Sequence, residues 1–85
     1  MIASTTLLPN TETTFYTVPI GKELYAELVI YPISIGTITC KINNLILFSS
    51  NTSSQISYKL ILQEGDTIKL TSTTQANAFL MGVLL

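Results

Sequence analysis

The chain has no histidine and no tryptophan, and because all four basic residues are lysines (Lys22, Lys41, Lys59 and Lys69) it has no arginine either. Without an imidazole, the usual proton carrier near neutral pH is missing, and with it every Ser-His-Asp or Cys-His arrangement. Without arginine, the bidentate reader of guanine and phosphate is missing, and four scattered lysines make no basic patch for a nucleic-acid backbone. Cys40 is the one cysteine, so no disulfide can form within the chain and the disulfide-rich secreted class is excluded. No stretch approaches the roughly 18 consecutive apolar residues of a membrane helix. Met1 to Pro9 carries neither a basic residue nor a sustained apolar run and is not read as a signal peptide.

Charge is scarce as well. Five acidic residues against four lysines leave a net charge of -1, and charged residues make up 11% of the chain against 47% hydrophobic. A free monomer ordinarily carries more charge to stay soluble. At 85 residues the chain makes one domain near the lower size limit for a single core. Small β domains of this kind often reach stability by oligomerising. The expectation is one domain over residues 1–85, partly covered by partners, with residues 1–10 as an extended arm or a first strand.

What is present is alternation. Apolar residues recur with a period of two almost throughout, the mark of half-buried strands, and no segment holds a helical period over ten residues. Phe15 to Val18 is a short β-prone run stopped by Pro19, and Pro19-Ile20-Gly21-Lys22 reads as a turn. Leu24 to Ile33 places Leu24, Ala26, Leu28 and Ile30 on one face and Tyr25, Glu27, Val29 and Tyr31 on the other. Ile38, Cys40 and Ile42 point inward on the next strand, and Asn43-Asn44 reads as a two-residue hairpin turn before the returning Leu45 to Phe48. Ser49 to Ser54 reads as a polar loop. Ile56, Tyr58, Leu60 and Leu62 alternate before the sharp turn Gln63-Glu64-Gly65-Asp66, and Ile68 and Leu70 follow. Ser72 to Asn77 reads as a loop or ragged strand end. Ala78 to Leu85 is a last strand, apolar on both faces, which requires cover on both sides. The expected fold is all-β: a two-layer, jelly-roll-like sandwich of seven to eight antiparallel strands.

The catalytic inventory is thin. Glu23 and Glu27 share a strand face but lie about 13 Å apart at 3.3 Å per residue, too far for one acid–base pair. Glu64 and Asp66 flank Gly65 in a tight turn, where two carboxylates fall short of a calcium shell of six to eight ligands. No zinc spacing, P-loop or dinucleotide fingerprint occurs, so no cofactor is expected. Cys40, on an inward strand position, reads as an inert core thiol. The tyrosines Tyr16, Tyr25, Tyr31 and Tyr58 suit the core or a subunit interface, or a sugar platform as the lesser alternative. The candidate turn residues are Pro19, Gly21, Gly65 and Asp66, and the candidate interface residues are Tyr25, Tyr31, Leu80 and Leu84. Function is expected to be binding and assembly rather than catalysis.

Three stretches, Thr17-Val18-Pro19-Ile20-Gly21-Lys22, Gly65-Asp66-Thr67-Ile68-Lys69-Leu70 and Met81-Gly82-Val83-Leu84-Leu85, resemble in order and spacing the small β-sandwich structural proteins of tailed bacteriophage virions. In that group an opening strand enters a TVP-x-GK turn, and a late GD-x-I hairpin precedes a closing strand ending in G-V-x-L. The resemblance spans about Leu7 to Leu85, and Pro32-Ile33-Ser34-Ile35-Gly36 departs from the group's turn after the long strand. It implies a virion location and a capsid decoration or cement protein that binds the major capsid protein, with a tail, baseplate or fibre accessory part as the alternative. It also implies a homo-oligomer, for which a closed trimer is compatible, while the charge balance and the lack of a long apolar run leave neither nucleic acid nor membrane as an expected partner. A carbohydrate-binding module is the more distant reading.

Overall fold

The centre of the fold is the Asn43-Asn44 turn. Both residues take positive φ, 52° and 67°, and Ile42 pairs directly with Leu45 across them. A two-residue hairpin turn of type I′ requires this left-handed pair, which asparagine tolerates better than most side-chain-bearing residues. In the computed structural model, which describes residues 1–85, the chain folds outward from this turn into eight strands and no helix. They are β1 (Ala3–Leu7), β2 (Thr13–Thr17), β3 (Leu24–Pro32), β4 (Gly36–Ile42), β5 (Leu45–Thr52), β6 (Ile56–Leu62), β7 (Thr67–Ser72) and β8 (Ala76–Leu84).

Pairing is antiparallel throughout and mirrors about the turn: β4 with β5, β3 with β6, β2 with β7 and β1 with β8. The chain is thus one long two-stranded ribbon. It wraps so that β3 also pairs β8 and β4 also pairs β7, giving two four-stranded sheets, β1-β8-β3-β6 and β2-β7-β4-β5. This strand order defines a jelly roll.

The inward positions of both sheets meet in a core of 14 buried residues, among them Leu24, Leu28 and Ile30 of β3, Ile38 and Cys40 of β4, and Ala76, Ala78 and Leu80 of β8. The all-β, two-layer expectation holds. One open alternative closes and two local expectations change. Residues 3–7 form a true first strand against β8, from Ala3 opposite Leu80 to Leu7 opposite Ala76, with Leu7 fully buried. β5 runs to Thr52 through a stretch that reads as loop, because its polar side chains find partners on β4: the Thr39 and Ser49 hydroxyls lie 3.0 Å apart, and Asn51 donates to the Thr37 hydroxyl at 2.9 Å. The loop expected over residues 72–77 shrinks to the three residues between β7 and β8.

Three connections meet at one end of the sandwich. Gly21 and Gly65 take φ of 81° and 80° in the turns after β2 and β6, which Lys22 N–H to Pro19 C=O (3.2 Å) and Asp66 N–H to Gln63 C=O (3.1 Å) close. Asp66 joins them. Its carboxylate accepts from Asn43 Nδ2 at 2.7 Å and from the Gln63 amide at 2.9 Å, while its carbonyl accepts from the Val18 amide at 2.9 Å.

Candidate interaction face

The period of two that buries one face of each strand of the β1-β8-β3-β6 sheet turns the other face to solvent. On β3 the outward residues are Tyr25, Glu27, Val29 and Tyr31; on β8 they are Asn77, Phe79, Met81 and Val83; on β6 they are Ser57, Lys59 and Ile61. Register sets these into cross-strand rows: Ile61·Tyr25·Val83, Lys59·Glu27·Met81 and Ser57·Val29·Phe79. The first row is the most apolar and the most open, with Ile61 73%, Val83 53% and Tyr25 37% exposed. In the third row, Val29 is only 2% exposed although it faces outward. The Phe79 ring beside it meets Tyr31 edge-on, with centroids 5.7 Å apart. A shallow depression of about 360 Å³ lies between the first two rows, lined by Tyr25, Glu27, Lys59, Ile61 and Met81 among others.

Charge on this face is sparse. Glu27 stands directly opposite Lys59 in the β3–β6 register, yet the chain's one ion pair is elsewhere, Lys41 to Glu12 at 3.3 Å. The Tyr25 hydroxyl donates to Glu23 at 2.6 Å. That hydrogen bond and the Glu23 charge push the Tyr25 hydroxyl above its ordinary pKa, so the ring stays neutral.

Of the four residues expected at an interface, Tyr25 and Tyr31 lie on this face, and Leu80 and Leu84 do not. Leu80 is fully buried in the core and Leu84 packs against it half-buried, because β8 pairs with β3 in the register Leu80 opposite Leu28 and Leu84 opposite Leu24, both inward positions. The exposed side of β8 is the opposite one, carrying Met81 and Val83, which are not among the expected interface residues. Asn77 was the usable signal: it shares their parity, and a polar side chain in an otherwise apolar strand marks the wet face. A second apolar exposure lies on the hairpin after the Asn43-Asn44 turn, at Leu45, Ile46 and Leu47. At the open edge nearby, Phe48 of β5 stacks on Tyr58 of β6, with ring centroids 5.3 Å apart.

The remaining polar features are committed to structure. A second, polar depression is lined by Gly21, Lys22, Glu23, Gln63, Glu64 and Leu85, and there Glu64 accepts from the Gly21 amide at 3.4 Å. The hydrogen bonds from Asn43 and Gln63 hold the Asp66 carboxyl below its ordinary pKa. No group of three or more His, Cys, Asp or Glu side chains is placed to hold a metal ion. Burial pushes the Cys40 thiol up to about 11, which keeps it protonated and inert. No helix is long and apolar enough to cross a membrane.

Fold and face together define an all-β jelly-roll domain with an uncovered apolar sheet surface. No protein-family model, curated protein or solved structure matches the chain.

Proposed function

We propose that this chain is a non-enzymatic structural part of a bacteriophage particle, a decoration or cement domain that reinforces the shell formed by the major capsid protein. The observation that carries the reading is the outer face of the β1-β8-β3-β6 sheet, where Tyr25, Ile61, Met81 and Val83 stand exposed in adjacent rows. Contiguous apolar surface of this kind marks a protein interaction site. In a chain with nine charged residues it also lacks the polar cover that keeps a solitary domain dispersed. The virion setting is supported by the resemblance of the TVP-x-GK, GD-x-I and G-V-x-L stretches, and the first two of these form the turns whose glycines take positive φ. A part present in many copies meets its neighbours at high local concentration, so weak contacts per copy suffice to hold it.

The test is occupancy on particles. Antibody labelling and mass spectrometry of purified particles of the phage that encodes the chain should find it in repeated copies. Added pure chain should co-sediment with stripped shells, and Val83→Asp should reduce that co-sedimentation. Particles that lack the chain altogether would sink the proposal.

A further inference from the structure

Glu27 and Lys59 are neighbours on an apolar face, opposite in sign, and without an ion-pair partner in their own chain. Side by side in register, they offer a fixed pattern of one anion and one cation, and a covering surface that answers both gains two attractions at once. A partner that does so presents a carboxylate opposite Lys59 and an ammonium opposite Glu27, at the same spacing. This face has that pattern itself.

We infer that a second copy of this chain covers the β3–β6 half of the face, docked about a two-fold axis that runs along the strands between β3 and β6, with Met81 and Val83 of β8 left beyond the partner's edge strand. The inference rests on reading the face as an assembly surface. Because β3 and β6 are paired in straight register from Leu24·Leu62 to Ile30·Ile56, the members of each cross-strand pair stand at one height along the strands. One axis between them therefore exchanges the members of every row at once. Glu27 of each copy comes over Lys59 of the other, and Tyr25 of each comes over Ile61 of the other. Anion meets cation twice and aromatic meets aliphatic twice, an isologous contact that closes on itself. An axis along β3 itself would instead set Glu27 against Glu27, which the repulsion of like charges disfavours. A net charge of -1 per chain offers little opposition to pairing.

Two strands about 4.8 Å apart make a small footprint, at the low end of specific interfaces. The dimer is thus expected between micromolar and millimolar concentration, and light scattering across that range reads it. Glu27→Lys and Lys59→Glu each place like charges across the axis and should each weaken dimerisation about tenfold or more. Both positions lie on the sheet surface, so circular dichroism and melting should show both variants folded. A one-to-one mixture of the two single variants should restore association as a heterodimer, since each Lys then faces a Glu, and so should the double reversal in one chain.

A wild-type mass that stays at 9.3 kDa throughout overturns the inference. So does a dimer that neither single reversal weakens. A monomeric chain that still decorates particles would defeat the dimer and leave the virion reading standing, whereas a charge-dependent dimer that ignores particles would do the reverse.

Discussion

Asp66 is the residue on which one end of the sandwich depends, because its side chain and backbone together touch the connections after β2, β4 and β6. Its folded pKa lies below the ordinary 3.8, first through the hydrogen bond from Asn43 and then through that from Gln63. The sign follows from linkage: the stabilisation is fully present above the unfolded-state pKa and is lost as pH falls through the depressed folded value. Melting temperature should therefore drop on acidification below about pH 4, and Asp66→Asn should be less stable than the wild type at neutral pH with a flatter acid profile. Equal acid profiles for the two would remove this role. The beginning of this was legible in the sequence, since Gly65-Asp66 is turn chemistry read over four residues. The partner Asn43 was not, because that contact joins positions 23 residues apart, and only the folded ribbon sets them side by side.

At the scale of the element, β8 decides the most. It is paired on both edges, to β1 and β3, with Ala76, Ala78 and Leu80 buried in the core and Met81 and Val83 exposed. Leu80→Ala should cost about 2–5 kcal/mol in chemical denaturation, as for other large-to-small changes in a packed core. Val83→Asp should, as a surface change, cost no more than about 0.5 kcal/mol while reducing co-sedimentation with shells. Comparable losses for the two would contradict the assignment of faces. Gly82 sets how closely β8 approaches β3. A Cβ there would overlap the Tyr25 carbonyl oxygen and lie 2.6 Å from the Ala26 Cα, both backbone atoms that cannot swing aside. Gly82→Ala should thus lower the melting temperature although the position is exposed, and an unchanged melt would show that the strands part at no cost. Strands that alternate apolar and polar residues were legible from the sequence. The second half of β5 was not, because Ser49 and Asn51 are held by hydroxyl and amide partners on β4, and such pairing leaves no apolar period to read.

For the whole molecule, the number of strands and the two-layer class followed from alternation and turn spacing, whereas the sheet order did not. The mirror pairing about Asn43-Asn44 places the most distant segments, β1 and β8, in contact, and no local pattern encodes that. Such topology delays the rewarding contacts until long loops have closed. Folding should accordingly take milliseconds to seconds, the range of all-β sandwiches, rather than microseconds. A stopped-flow refolding trace finished within the dead time would contradict this. The interaction face was half legible for a related reason: Tyr25 and Tyr31 could be placed by parity, while the exposed side of β8 depends on which neighbour it joins.

Cys40 sits on β4, between β5 and β7 in the middle of its sheet, with no surface exposed. A thiol so placed reacts with a modifying reagent only when that sheet comes apart, so at high reagent concentration its labelling rate becomes the opening rate itself. Because the chain has no second cysteine, the signal has one source and needs no engineered probe. The same thiol timed in dilute solution and at concentrations where copies associate would measure how strongly neighbours hold the sandwich shut.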